Sequence, residues 1–227
     1  MSSRKYAKTA CAAALAALSI GAQAQISGGS VKIGVLTDLS GTYSDLAGSG
    51  AVLATRMAID DFIANEKPNF KIEVVTADHQ NKADIASNKA REWIERENVD
   101  TVTELVTTST ALAVMKVAKE KDRIVIMNGP ASTPITNEQC NDVSVHYTYD
   151  TYAVANGTAK AVTTGGGKSW FFLTADYAFG QALEKDATAV VNANGGKVVG
   201  SVRHPFPGSD FSSFLLKAQA SGAQVIG

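Results

Sequence analysis

The chain has 227 residues, of which 45% are hydrophobic and 19% charged, and its formal net charge is −1. This composition is that of a folded globular protein, with enough chain for one large domain or two small ones. The near-neutral charge argues against a nucleic acid or another polyanion as partner.

Residues 1–24 are predicted to be a secretory signal peptide. Arginine or lysine stands at positions 4, 5 and 8, an apolar run of 12 residues follows at 10–21, and Ala-Gln-Ala at 22–24 is a small-x-small cleavage site ahead of Gln25. The apolar run is shorter than the roughly 20 residues that a membrane-spanning helix needs. We therefore expect an exported protein that is not embedded in the membrane after cleavage.

Loss of this segment removes three basic residues and no acidic ones, so the net charge becomes −4. It also leaves Cys140 as the one remaining cysteine. A single cysteine cannot form an intrachain disulfide, so the exported protein is expected to depend on its hydrophobic core.

Short β-branched runs then alternate with longer segments of helical period, the pattern of βαβ units in an α/β fold with a mainly parallel sheet flanked by helices. Strands are predicted at residues 31–37, 71–77, 102–105, 124–127, 170–174, 198–202 and from 224 onward. Helices are predicted at about residues 47–65, 82–97, 109–121, 151–164, 179–194 and 211–221.

Residues 128–150 interrupt this alternation. They are rich in Pro, Thr, Ser and Asn and contain one short extended candidate at 143–149. The interruption predicts a crossing segment between two α/β lobes, an N-terminal lobe at 26–145 and a second lobe that begins at 150 and runs to 227. Because residues 223–227 read as the start of a buried strand, the second lobe is expected to be incomplete in this sequence.

Ligands of open α/β sheets bind beyond the carboxyl ends of the strands, so the loops that follow strands are the candidate sites. The first such loop, residues 38–44, has Gly41 for a tight turn, three hydroxyl side chains and the aromatic ring of Tyr43. It is either a ligand contact or a polar turn that caps the next helix.

The loop at residues 106–110 is the strongest anion site that the sequence offers. Thr107, Thr108 and Ser109 supply hydroxyl groups at a helix start, where free backbone N–H groups and the helix dipole favour a carboxylate. The alternative is ordinary N-capping, which needs only one hydroxyl.

Two further loops are less specific. Ala131, Ser132 and Thr133 follow a strand in a Pro-bracketed loop that either presents polar groups to a ligand or forms a rigid turn. Tyr177 and Phe179 follow the first strand of the second lobe, and they either cover an apolar ligand or belong to the core. The same two alternatives hold for Tyr152, next to the crossing segment.

Signatures of catalysis are not found in the sequence. The three histidines lie far apart without HExxH or metal-ligand spacing, and no G-x-S-x-G motif occurs. Residues 165–169, Gly-Gly-Gly-Lys-Ser, imitate the end of a phosphate loop but precede a strand instead of following one. We expect no catalytic residue, no metal and no cofactor, and hence a protein that is not an enzyme.

Four segments occur in a characteristic order, at residues 33–43, 107–113, 129–133 and 175–180. In this order they resemble the leucine/isoleucine/valine-binding type of periplasmic solute-binding protein, the receptors of branched-chain amino-acid ABC importers. The resemblance extends over residues 31–227. It implies a two-lobed fold of type I that closes on a small ligand, and location in the periplasm.

The resemblance also implies roles for single residues. The segment 107–109 would hold a ligand carboxylate, and the loop with Ala131 and Thr133 would grip the polar head. Tyr43 would be a first-loop contact, and Phe179 or Tyr177 an aromatic lid. Members of the family are about twice as long as this chain, and the acidic residue that pairs with a ligand ammonium would fall beyond Gly227.

The sequence therefore predicts a receptor that delivers a small carboxylate-bearing solute to the membrane permease of an ABC importer. A branched-chain amino acid is the first candidate ligand, and an aromatic acid or amide is the alternative. Two rival functions are a secreted α/β hydrolase and the sensory domain of a receptor.

Overall fold

The computed structural model describes residue 26 and residues 29–227. The predicted signal peptide lies outside the described residues. Within the described part of the chain, no helix combines the length and the apolar character that crossing a membrane requires.

The first lobe is built on a five-stranded parallel sheet with the strand order β2-β1-β3-β4-β5. Its strands are β1 (Ser30–Thr37), β2 (Lys71–Asp78), β3 (Thr101–Glu104), β4 (Ile124–Met127) and β5 (Ser144–His146). Its helices are α1 (Gly48–Glu66), α2 (Ala83–Arg96), α3 (Thr108–Lys121) and the short α4 (Thr133–Thr136).

The second lobe is built on a three-stranded parallel sheet with the order β7-β6-β8. Its strands are β6 (Ser169–Ala175), β7 (Lys197–His204) and β8 (Val225–Ile226). Its helices are α5 (Thr151–Thr164), α6 (Ala178–Ala193) and α7 (Ser212–Ala220).

The prediction of an α/β fold with parallel sheets flanked by helices is confirmed. Two elements, α4 and β5, lie in the segment 128–150 that was predicted as a crossing. Strand β5 falls inside the extended candidate at 143–149 and pairs with β4, so it belongs to the first sheet. The chain enters α5 directly afterwards, where the Asp150 carboxylate caps the helix by accepting the Ala153 N–H at 2.9 Å.

Each lobe has its own hydrophobic core. In the first, α2 and α3 pack on one face of the sheet around Trp93, Val114 and Met115. Gly34 of β1 makes this packing close, because a Cβ there would lie 2.6 Å from the Trp93 ring. In the second, Trp170 and Phe172 of β6 pack against α5 and α6. Since all strands of a sheet are parallel, the loops after the strands share one edge of each lobe.

Candidate functional site

Two carboxylates, one of them buried, fix the first loop. The Asp38 carboxylate is fully buried and accepts the N–H groups of Gly41 at 2.7 Å and Tyr43 at 2.9 Å. A side chain at position 41 would collide with it, because a Cβ there would lie 2.6 Å from Asp38 Oδ1. A second carboxylate, Asp78, accepts the Leu39 N–H at 2.9 Å. Both carboxylates therefore hold the loop in the conformation that places Tyr43.

Tyr43 reaches across to the second lobe. Its hydroxyl makes a 2.6 Å hydrogen bond with the hydroxyl of Tyr177. The rings of Tyr177 and Phe206 stack with centroids 4.5 Å apart, and Tyr43 and Phe179 pack beside them at 5.7 Å from Phe206 and 6.1 Å from Tyr177. We call Tyr43, Tyr177, Phe179 and Phe206 the aromatic cluster. Burial raises the pKa of the Tyr177 hydroxyl, which keeps this group neutral.

The aromatic cluster lines an apolar cavity of about 420 Å³ in the second lobe, between β6, α5 and α6. This volume is within the range of small-molecule sites, roughly 300–1,000 Å³. Most of the wall is aliphatic or aromatic, and a few polar side chains interrupt it, namely Thr158, Thr174, Glu184 and His204. The cavity can take an apolar or aromatic group with a small number of polar contacts.

Helix α3 begins without a side-chain cap. The hydroxyl of Thr107, the residue in the N-cap position, bonds to the Thr110 hydroxyl at 3.0 Å, and the Thr108 hydroxyl bonds to the Ser132 hydroxyl at 2.7 Å. These four side chains are buried, whereas Ser109 is half-buried and its hydroxyl makes no hydrogen bond within the described residues. The first N–H groups of α3 are thus available to an anion, together with one hydroxyl.

The loop between β4 and α4 is largely buried and bonds to the second lobe. Ala131 and Ser132 are buried, while Thr133 is half-buried. The Thr133 hydroxyl donates to Asp186 Oδ2 at 2.5 Å, and the Thr151 hydroxyl donates to the same oxygen at 2.6 Å. Asp186 lies on α6, so this contact joins α4 of the first lobe to two helices of the second. In this arrangement the Thr133 hydroxyl serves the junction between the lobes.

The sequence-predicted residues therefore divide into groups. The structure brings Tyr43, Tyr177 and Phe179 together, and it joins Thr108 to Ser132 between the two neighbouring loops. Tyr152 stands apart, since its side chain is 60% exposed on the first turn of α5 and does not contact the aromatic cluster.

Sequence reasoning missed four residues at this edge. Phe206 lies in the loop after β7, and Asp38, His79 and Glu104 are buried at the ends of β1, β2 and β3. Burial raises the pKa of Glu104 to about 7, and burial lowers the pKa of His79. Their position in the sequence could have indicated the three titratable residues, because each of them ends a strand or directly follows one. Across the described residues, His, Cys, Asp and Glu side chains form no group of three or more that could hold a metal ion.

Comparison with known proteins places the chain. The sequence model of a family described as "Periplasmic binding protein" matches residues 30–227. The chain belongs to the periplasmic binding protein family. The resemblance of the four ordered segments and the two-lobed α/β fold are both confirmed by this match and by the solved structures.

Three similar proteins extend this periplasmic binding protein assignment. A periplasmic binding protein from Burkholderia mallei is 56% identical, with a TM-score of 0.83 over 88% of this chain and 53% of that one. A solute-binding protein of an ABC transporter from R. palustris, in complex with 4-hydroxybenzoate, is 27% identical, with a TM-score of 0.75 over 87% of this chain and 53% of that one. "Leu/Ile/Val-binding protein homolog 6" of Brucella abortus (strain 2308) is 29% identical over 202 residues, 86% of this chain and 50% of the relative. The chain spans about half the length of the curated relatives it matches.

Proposed function

We propose that this chain belongs to an extracytoplasmic receptor of an ABC importer and binds a small carboxylate-bearing solute between lobes formed by residues 26–145 and 150–227. The observation that carries the proposal is the aromatic cluster, in which Tyr43 of the first lobe meets Tyr177 and Phe206 of the second at the loop edges of both sheets. Ligands of open α/β sheets bind at this edge.

The start of α3 supplies the carboxylate site in this proposal. Its first N–H groups have no side-chain cap, and the helix dipole favours negative charge there. The half-buried Ser109 hydroxyl adds one donor. The hydrogen bond between the Thr108 and Ser132 hydroxyls holds the two loops together, and the bond from Thr107 to Thr110 fixes the first turn of α3.

Two observations bear on the class of ligand. The aromatic cluster favours the ring of an aromatic acid, and the similar R. palustris protein is in complex with 4-hydroxybenzoate. The name of the Brucella relative supports a branched-chain amino acid as the second candidate. Both ligands carry the carboxylate that α3 would bind.

The receptor binds its solute without changing it and passes it to a membrane permease. Family membership supports the permease partner and the periplasm as its location.

Export predicts that the mature chain begins at Gln25. Intact-mass measurement on a periplasmic fraction checks this prediction, and a chain that retains Met1 would contradict it.

A thermal-shift screen of the full-length gene product tests the function. The probes are benzoate, 4-hydroxybenzoate, L-leucine, L-isoleucine and L-valine, with D-glucose as a solute that lacks a carboxylate. A ligand at 100 times its dissociation constant adds about 2.7 kcal/mol of stability. Stabilisation by one class of carboxylate, with the ligand recovered unchanged by chromatography, supports the proposal. Absence of any shift contradicts the binding function, and a converted ligand favours the hydrolase.

A further inference from the structure

Glu104 lies beneath the two loops of the proposed carboxylate site. It is the last residue of β3 and only 4% exposed. A Cβ on Gly129 would lie 2.8 Å from Glu104 Oε1 and 2.8 Å from the Cα of Val106. The Glu104 carboxyl group therefore packs at the junction of the β3–α3 loop, which leads into Thr107, with the β4–α4 loop, which leads into Ser132.

The backbone at this point is unusual. Glu104 has a φ of +85° and Leu105 a φ of +57°, two consecutive non-glycine residues in a region that side chains disfavour. Such conformations persist where the surroundings impose them, and they are concentrated at functional sites. Here they turn the chain from the end of β3 into the loop before α3, so the side chain of Glu104 and the course of that loop are fixed together.

The surroundings of Glu104 favour its neutral form. Glu104 Oε2 and the neighbouring Thr37 hydroxyl are both buried without a hydrogen-bond partner in the described chain. The nearby Thr37 hydroxyl and Val106 N–H favour the ionised form of Glu104, but burial outweighs them. The buried Asp38 carboxylate faces Glu104 from the end of β1. From the end of β2, His79 faces Asp38; its Nδ1 accepts the Asn81 N–H at 3.0 Å. Its Nε2 is also unpartnered.

The remaining neighbours carry no charge that could compensate Glu104. Val106 and Gly129 are uncharged, and the β4–α4 loop is approached from β5 by His146, whose two ring nitrogens bond to the Pro130 carbonyl and the Thr136 hydroxyl. Burial, with the Asp38 charge, raises the pKa of Glu104 to about 7. The Glu104 carboxyl group therefore gains or loses its proton near neutral pH.

We propose that Glu104 is a positioning residue whose protonation is coupled to carboxylate binding at the start of α3. The neutral carboxyl supports the two loops, whereas the ionised carboxylate repels an anion bound to them. This inference rests on the proposed function, which places the ligand carboxylate at α3. Because coupling is reciprocal, a bound carboxylate raises the proton affinity of Glu104 by the same factor by which the proton strengthens ligand binding.

Titration calorimetry of the full-length gene product tests the coupling, with benzoate or L-leucine as the probe, whichever binds. Neither probe changes charge substantially between pH 6 and 8.5. If the bound anion raises the pKa of Glu104 by about one unit, a modest shift for a like charge, the dissociation constant rises about sevenfold over this range. Glu104→Gln, which cannot ionise, should bind with a nearly constant affinity. Glu66→Gln, at the exposed end of α1, should retain the wild-type pH profile.

A measurement on the wild-type protein covers the case in which Glu104→Gln fails to fold. Titrations at pH 7.5 in buffers of different ionisation enthalpy should reveal an uptake of about half a proton per ligand bound. Binding that is independent of pH and takes up no proton overturns the inference and leaves the proposed function intact. A pH dependence that survives in Glu104→Gln assigns the proton to another group and also overturns it. If no probe binds, the proposed function fails, and this inference fails with it.

Discussion

Ser109 and Thr107 lie two positions apart in sequence but have different surroundings. The Thr107 hydroxyl is buried and bonded to Thr110, whereas the half-buried Ser109 hydroxyl has no partner in the described chain. We expect Ser109→Ala to remove a charge-assisted hydrogen bond to the ligand of about 1.5–3 kcal/mol, so that affinity falls roughly tenfold to a hundredfold. Calorimetric titration of the full-length protein measures this loss.

Thr107→Val is the matched control for that prediction. It removes the buried hydrogen bond to Thr110, so it should lower the free energy of unfolding by about 1 kcal/mol. Ser109→Ala should change stability by less than about 0.5 kcal/mol. If Ser109→Ala instead lowers stability and leaves affinity unchanged, the hydroxyl has a structural role and the carboxylate binds elsewhere.

Glu104 also makes a pH dependence of stability predictable. Its pKa is about 7 in the folded chain against an ordinary value of 4.5, so folding binds this proton more tightly. The resulting stabilisation is fully present below pH 4.5 and is lost as the pH rises through 7, by about 3 kcal/mol in total. Urea unfolding of wild type and Glu104→Gln at pH 4.5, 6 and 7.5 measures the difference.

The contribution of His79 to stability changes with pH in the opposite direction. Comparing wild type with Glu104→Gln removes this contribution. Burial lowers the pKa of His79, so its contribution to stability is present above its ordinary value of 6.5 and is lost as the pH falls. Both proteins contain His79, so the difference between them isolates Glu104. Parallel pH profiles for wild type and Glu104→Gln would show that Glu104 does not titrate in this range.

At the residue scale, the sequence allows the loops of the candidate site to be predicted, but not the residues that are buried beneath them. Hydroxyl groups after a strand, as in Thr107 to Ser109, are a local pattern that can be read directly. Glu104 ends a strand, where a charged residue is usually exposed. Its burial depends on Gly129, which is 25 positions away in sequence, and on Asp38 in the neighbouring strand. Such contacts between distant segments leave no local signal.

At the scale of the elements, the loop after β1 and the loop after β6 meet through one hydrogen bond, between Tyr43 and Tyr177. Tyr43→Phe or Tyr177→Phe removes this bond. Because it closes the cleft between the lobes, each variant should lose about 1 kcal/mol of binding free energy, roughly a fivefold loss of affinity. The double variant should lose little more than either single one, since the bond is already absent.

A double-mutant cycle in the full-length protein measures this coupling. Tyr149→Phe, a 64% exposed tyrosine outside the aromatic cluster, is the control and should bind like wild type. Additive losses in Tyr43→Phe and Tyr177→Phe would mean that the hydroxyls act independently, each on the ligand or on water, and would contradict the contact across the cleft.

The elements themselves were largely predictable. The spacing of hydrophobic residues, every two residues in strands and every 3.6 in helices, is a local pattern. It predicted strands β1 to β4 and β6 to β8 and the long helices to within a few residues. Helix α4 has four residues, too few for a periodic pattern, and β5 has three. Pairing of β5 with β4 follows from sheet topology and not from composition. Phe206 was missed because its loop contains two prolines and a glycine within residues 205–208, which indicates a turn and nothing more.

At the scale of the whole molecule, specific contacts between the lobes are few among the described residues. The aromatic cluster forms one contact, and Thr133 forms a second through hydrogen bonds to Thr151 and Asp186. Helix α3 also contacts α6, and Lys185 and Glu138 form an exposed ion pair at 3.5 Å. An exposed pair of this kind contributes little. Lobes joined by so small an interface are expected to move relative to each other, unlike the strands within each sheet.

Ligand binding should therefore favour the closed arrangement of the lobes. A ligand that contacts α3 on one side and the aromatic cluster on the other binds the closed form better, so it shifts the population towards closure. Small-angle X-ray scattering of the full-length protein should show a smaller radius of gyration at saturating ligand than without ligand. Tyr43→Phe, which weakens the closed form, should need a higher ligand concentration for the same change. A radius of gyration unaffected by a ligand that calorimetry shows to be bound would mean that binding does not close the lobes.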